Sequence, residues 1–404
     1  MDRPSGARAV VLGLAAVAAV VAAVVEACWS PAFVDLSVYR FGGAQVARGE
    51  DVYAGPDPAS GLPFTYPPFA ALLFLPLAAL PSPLAAGLLT GASVAALGWT
   101  VRLLAPRLGP AALALLLVGL LLLEPVEQTL SFGQVNLLLM ALVVAAVLEP
   151  DRARSPWLLG VAAGVKLTPL VLVVHLALTG RVREAGTSLA AFAGTVLVGV
   201  VLLPAQAADF WTAAVWDSGR VGGVAFVSNQ SVNGLLARLG DGDPPTVLWL
   251  VVAGAASLAA LACAVGWHRR GHPRLGLALA GVSMLLASPI SWSHHWVWVV
   301  VVVVALPRTA PLVVAAFASR LLWWPPHRDD RELGWGPVEQ LAGNSYLLLA
   351  LVLVLGSAAA LVRDRAGRSG PSAPQPQQRP GPEDDGEGPQ DHHRDDAAAH
   401  GTPS

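Results

Sequence analysis

Asp35, Lys166 and the adjacent pair His294-His295 are the residues whose types and settings could do chemistry in this 404-residue chain. An aspartate can take a proton from a hydroxyl as a general base. Lys166 is the only lysine, every other basic side chain being arginine or histidine. Its Lys-Leu-Thr-Pro setting puts it just before a helix start, where free N–H groups and the helix dipole favour an anion. His294 and His295 stand between Trp292 and Trp296, so one ring can hydrogen-bond an anion or a hydroxyl while the other packs. Tyr66, Gln134, Asn136, Asn229, Gln230 and Asn233 carry neutral groups that both donate and accept, which suits them to reading hydroxyls.

The elements that position these residues are set by composition. The chain is 55% hydrophobic and 13% charged, with mean hydropathy +0.60, against roughly 25% charged in a soluble protein. So much apolar surface cannot be hidden in one water-soluble core, and the chain reads as an all-α polytopic membrane protein. Soluble enzyme folds are excluded for its bulk. The net charge of −2 conceals a tail, Ser369 to Ser404, with seven acids and two arginines, which leaves the remainder near +3. Two domains follow: a transmembrane domain over 1–368, and a Pro/Gly/acidic tail over 369–404 that is expected to be disordered and cytoplasmic. Nothing points to a nucleic-acid partner.

Arginines orient the spans, because short cytoplasmic loops carry an excess of Lys and Arg. Helix 1, Arg8 to Cys28, leads to a long outer loop. The apolar stretch Pro67 to Leu80, interrupted by Pro76, is expected to lie along or dip into the outer leaflet. Pro83 to Leu104 and Gly109 to Leu123 then cross, the latter reaching a loop with Glu124 and Glu127, and Gln134 to Leu148 returns. Pro156 to Gly180 is read as two half-length helices broken at Lys166 to Pro169, with Thr168 as N-cap and Pro169 first in the second half. That places Lys166 at a buried, outward-facing turn. The remaining helices are expected at Ser188 to Leu203, Val247 to Trp267, Leu275 to Ala287, His294 to Leu306, Pro311 to Trp324 and Ser345 to Leu361. The count is about twelve, with outer-leaflet re-entrant or juxtamembrane helices and both termini cytoplasmic. Cys28 and Cys263 fall near opposite ends of their helices, too far apart for a disulfide.

In this arrangement the polar stretches gather on the outer face. They are, in order, Asp35 in the first outer loop, Thr65-Tyr-Pro-Pro68, Gly133-Gln-Val-Asn136, Lys166-Leu-Thr-Pro169, Asn229-Gln-Ser-Val-Asn-Gly234 and Ser288-Pro-Ile-Ser-Trp-Ser-His-His-Trp296. This set resembles glycosyltransferase family 87, over about Asp35 to Trp296. The resemblance implies a GT-C-like fold and transfer of a sugar from a polyprenyl-phosphate donor to a glycolipid or glycan acceptor of the cell envelope. The sugar implied is mannose in an alpha-1,2 link, with arabinofuranose as the alternative. Asp35 would then be the base, and Lys166 with His294 or His295 would hold the leaving lipid phosphate. Tyr66, Gln134, Asn136, Asn229, Gln230 and Asn233 would read sugar and acceptor. A beta-linked donor would give an alpha product by inversion. The enzyme would sit in the cell membrane with its site on the outer face.

Plainer readings stand beside each assignment. Asp35 could cap a short helix through Arg40 and Arg48; Lys166 could snorkel; the amides could cap loops. Glu124 and Glu127 read as solvated loop acids or as substitute bases. Trp211, Trp216, Trp323, Trp324 and Trp335 read as an interfacial belt. No cofactor is called for, and no metal, since no third ligand completes the histidine pair; a loosely held divalent ion is left open. The competing classes are a lipid or solute transporter, whose polar groups would lie at the midplane, and a non-catalytic subunit.

Overall fold

The computed structural model describes residues 33–148 and 155–368. The expected first helix, Cys28, the turn with Arg152 and Arg154, and the tail over 369–404 lie outside the described residues.

Among the described residues the chain is all-helical and contains no strand. In chain order the helices are α1 (Val34–Arg48), α2 (Pro68–Ala79), α3 (Ser82–Leu104), α4 (Pro110–Leu121), α5 (Glu124–Ser131), α6 (Asn136–Leu148), α7 (Trp157–Val165), α8 (Leu170–Leu178) and α9 (Val182–Leu202). They continue with α10 (Pro204–Thr212), α11 (Val232–Leu239), α12 (Thr246–Arg269), α13 (Pro273–Ala287), α14 (Val299–Ala305), α15 (Ala310–Ala318), α16 (Pro337–Gly343) and α17 (Ser345–Arg368). Proline starts many of them. Pro68, Pro110, Pro204, Pro273 and Pro337 open their helices, where a missing N–H costs nothing and the fixed φ already suits the helix.

Among the described residues, four helices are long and apolar enough to cross a membrane: α3, α9, α12 and Ser345–Asp364 of α17; the pair α4 and α5, bent by 76°, makes a fifth if it is one span. The other apolar helices among the described residues are shorter. Leu189, Leu197 and Val201 on α9 and Val247, Val251 and Leu258 on α12 are exposed. Rows of bare apolar side chains on long helices suit a lipid solvent.

The segment 157–178 turns back on itself. Gly160 lies against Ser188 and Ala191, and Gly164 against Thr195, so α7 runs parallel to α9. The α8 helix enters α9 through a tight turn and therefore runs the other way. Both outer ends of this hairpin are tied to one end of the bundle. Ser188 Oγ donates to Pro156 O at 2.7 Å, and Arg181 Nη1 donates to Val147 O at 2.8 Å. Lys166 thus sits at the apex. Pro169 rather than Thr168 occupies the N-cap position of α8, and no side chain caps it. The turn is closed by backbone bonds instead, from Leu170 N to Leu167 O and from Leu172 N to Pro169 O.

At the end opposite the apex, Arg269 donates to Leu178 O, the last carbonyl of α8, at 2.7 Å, a favourable place for a cation, and Arg102 donates to the loop carbonyl of Leu108 at 2.7 Å. At the apex end α1 packs on α2, and Arg40 ties them by donating to Leu77 O and Leu80 O. Neither helix enters the spanning set.

The loop expected to hold Glu124 and Glu127 is instead α5. Glu124 is fully buried and accepts hydrogen bonds from Trp323 Nε1 at 2.8 Å and Tyr346 OH at 2.9 Å. The apolar residues on either side of it fold the chain over, and a buried carboxylate must then find donors. Glu127 remains at the surface, in an ion pair with Arg320 at 3.3 Å.

Candidate active site

Asp35 lies in the first turn of α1 but does not cap it; the N-cap residue is Phe33, with no side-chain cap. What fixes this turn is the loop before α6. Phe132 O accepts from Asp35 N at 3.1 Å and from Leu36 N at 3.2 Å. So close an approach needs glycine next in the chain: Gly133 has φ +65°, and a Cβ there would stand 2.8 Å from Leu36 Cβ. Gln134 follows and lines the cavity with Asp35. One turn along α1, Tyr39 OH donates to Gln134 Oε1 at 2.7 Å, and Gln134 Nε2 donates to Tyr66 OH at 3.1 Å. The amide near the base candidate is therefore aimed by two tyrosines.

Lys166 reaches the same place from the hairpin apex. Its Nζ lies 3.2 Å from Asn136 Oδ1, 2.9 Å from His295 Nε2 and 5.7 Å from the Tyr66 ring centroid. Because an ammonium can only donate, His295 Nε2 is the acceptor of this pair. The backbone here is pinned by the preceding motif, since Asn136 Nδ2 and Thr129 Oγ1 both donate to His294 O, at 2.9 and 3.0 Å. The His294 ring packs edge-on against Phe132 and His295, and both its nitrogens lack a protein partner.

These groups open into one cavity of about 1230 Å³, lined by Asp35, Tyr66, Gln134, Lys166, His294 and His295 together with Trp249, Trp292 and Trp323. Burial pushes the Asp35 carboxyl up to about 7, against the opposing pull of the Lys166 charge and the Gln134 hydrogen bond. Burial also draws the Lys166 ammonium down to about 8, with Asp35 opposing. An acid near 7 is poised to accept a proton at neutral pH, and a lysine that keeps most of its charge is poised to hold an anion. Among the described residues, no group of three His, Cys, Asp or Glu could hold a metal ion.

Sequence comparison points the same way. Residues 64–289 match the model of glycosyltransferase family 87. The chain is 33% identical over 370 residues to the polyprenol-phosphate-mannose-dependent alpha-(1-2)-phosphatidylinositol mannoside mannosyltransferase of Mycobacterium tuberculosis, covering 81% of this chain and 84% of that one. The chain belongs to glycosyltransferase family 87. The protein of the same description from Mycolicibacterium smegmatis is 32% identical over 381 residues, again covering 81% and 84%. A pentamannoside mannosyltransferase of the same donor dependence from Mycobacterium tuberculosis is 39% identical over 280 residues, covering 66% of this chain and 64% of that one. No solved structure gives a significant match.

The residues expected at the site of this family 87 transferase fall into two groups. Asp35, Tyr66, Gln134, Lys166, His294 and His295 line the cavity, and Asn136 stands behind them, on Lys166 Nζ and the His294 carbonyl. Asn229, Gln230 and Asn233 do not line it. Asn229 Nδ2 donates to Val224 O, and its Oδ1 accepts from Ser231 N and Ser291 N. Gln230 Nε2 donates to Val227 O and Gly343 O, while its Oε1 accepts from Tyr346 N. These two amides join the second loop to the turn before His294 and to the start of α17. Asn233 is buried in α11.

Other residues at or behind the cavity went without a role in the sequence reading. Tyr39, fully buried, holds Gln134 from behind; it stands four residues from Asp35, so helical spacing alone places it on the same face. Arg220, Arg320 and Arg328 also line the cavity. For two of them a signal was available, because Arg220 and Arg328 fall in loops expected on the outer face, against the bias used to orient the spans.

Proposed function

We propose that this membrane glycosyltransferase moves mannose from a polyprenyl-phosphate donor to a mannosylated envelope glycolipid, forming an alpha-1,2 link. The observation that carries this reading is the meeting of Asp35 and Lys166 in one cavity, on separate elements joined through Gln134 and Asn136. Asp35 removes the proton from the acceptor hydroxyl, which attacks the anomeric carbon as the bond to the lipid phosphate breaks. Lys166 and the unpartnered His294 ring hold the departing phosphate, and His295 holds Lys166. Tyr66 and Gln134 border the sugar, and Asn136 holds Lys166 in place. A single displacement inverts the anomeric centre.

The same reading places the cavity on the outer face of the cell membrane, with the arginine-bearing end and both termini in the cytoplasm, in keeping with the positive-inside rule. It takes residues 1–368 as one GT-C-like unit of about twelve membrane-embedded helices, and residues 369–404 as an appended tail. In purified protein reconstituted in lipid, radiolabelled polyprenyl-phosphate mannose should label a crude envelope-lipid acceptor, and polyprenyl-phosphate arabinose should not. Labelling from arabinose alone would replace the sugar; labelling from neither would remove the activity.

A further inference from the structure

The cavity holds more positive charge than one donor phosphate needs. Arg220 and Arg328 reach it from the second and third long loops, not from the hairpin that carries Lys166. Neither is in an ion pair among the described residues. Arg220 gives Nη2 to Tyr53 O at 3.1 Å and stacks on the Tyr53 ring at 5.9 Å, which leaves its buried Nε without any partner. Arg220, half-buried with its Nε shut off from solvent, is costly in a cavity walled by tryptophans unless an anion joins it, and the exposed Arg328 lines the same cavity.

The loops are built to present these arginines. All four non-glycine residues with left-handed backbone among the described residues lie in one stretch: Arg320, Arg328, Asp329 and Asp330, with φ from 50° to 70°. Each such residue is strained, and surrounding structure must hold it. Glu332, buried to 2% exposure, does the holding, for its Oε1 accepts from Arg328 N at 3.1 Å and from Val227 N at 3.2 Å. One carboxylate oxygen thus fastens the Arg328 loop to the loop that carries Arg220.

We propose that Arg220 and Arg328 form a second anion subsite in this cavity, which takes the phosphodiester of a glycosylated phospholipid acceptor. The planar fork of arginine suits a phosphodiester oxygen pair. The donor phosphate stays with Lys166, so donor and acceptor are recognised by separate cations. This assignment rests on the transfer reading above.

The test compares two mannoside acceptors in non-ionic detergent at saturating donor, one with a phosphodiester between sugar and lipid and one with a plain alkyl chain. The parent enzyme should favour the phosphodiester acceptor at least tenfold in kcat/KM. Arg220→Gln and Arg328→Gln should each cut that preference about tenfold, through KM for the charged acceptor. Lys166→Met should lower the rate on both acceptors and leave the preference in place. The preference compares two acceptors on one preparation, so it does not depend on how much of each variant folds. Equal use of both acceptors by the parent, or an unchanged preference in both arginine variants, overturns the subsite. Transfer to neither acceptor sinks the underlying reaction instead.

Discussion

Lys166 Nζ stands 2.9 Å from His295 Nε2, although 129 residues separate them and one lies at a hairpin apex, the other in a 3₁₀ turn before α14. An ammonium can only donate, so the histidine accepts through Nε2 and supports the ammonium rather than competing for an anion.

The first prediction concerns pH. Asp35 acts only when deprotonated, and burial has raised it to about 7, so activity should climb as pH rises through 7. Lys166 acts only when protonated, and burial has lowered it to about 8, so activity should fall as pH rises past 8. The profile of kcat/KM for the donor should therefore be a narrow bell. Lys166→Arg should abolish the alkaline limb, because guanidinium does not titrate in this range. An alkaline limb that survives in the arginine variant would assign it to another group.

The second prediction concerns Glu124, which the sequence offered as a substitute base. Its carboxylate is occupied by Trp323 and Tyr346 and does not line the cavity. Glu124→Gln keeps the shape but places an amide donor toward two donors, at a cost of about 1 to 3 kcal/mol. Melting should drop clearly while kcat per folded molecule falls by less than about tenfold, well short of the loss expected for a base. A larger kcat loss in a variant of parental melting temperature would return Glu124 to the chemistry.

Which parts were legible follows from how local their causes are. The break at Lys166 was forced by charge bookkeeping along the chain, and the hairpin that answers it is visible in the contacts of Gly160 and Gly164 with α9. Asp35, Gln134 and Lys166 could be picked out because each stands in a polar stretch of an otherwise apolar chain, and the resemblance to family 87 drew those stretches together. The work of Asn229 and Gln230 was not legible, since it depends on carbonyls of residues 224, 227 and 343 that only tertiary folding brings within reach. Glu124 was misjudged for a related reason: its partners, Trp323 and Tyr346, lie about 200 residues downstream.

The third prediction concerns topology. Single cysteines replacing Arg107, Arg183 and Arg274 should react only with a reagent admitted to the cytoplasmic side, and one replacing the exposed Trp216 only with an impermeant reagent outside. Residue 183 follows the hairpin, so it distinguishes a turn at Lys166 from a straight crossing. Outside labelling at 183 would contradict the proposed orientation on that side of the hairpin.

The last prediction is that Asp35→Asn abolishes transfer without removing donor binding. The amide matches the carboxylate in size and can still meet Gln134, but it cannot take the acceptor proton. Loss of a positioned general base should cost on the order of 10²- to 10⁴-fold in kcat, about 3 to 5 kcal/mol of barrier. A helix-capping role predicts almost no effect, since asparagine caps as well as aspartate, and the structure already places Phe33 at the cap of α1. Replacing the acid also removes the charge that Lys166 faces, so donor affinity should hold or rise slightly as the ammonium is left to the phosphate. The decisive measurement pairs donor titration with single-turnover transfer in a preparation whose melting matches the parent. Unimpaired turnover there would take Asp35 out of the reaction, and with Glu124 enclosed by its own partners the proton would have to pass to another group in the cavity.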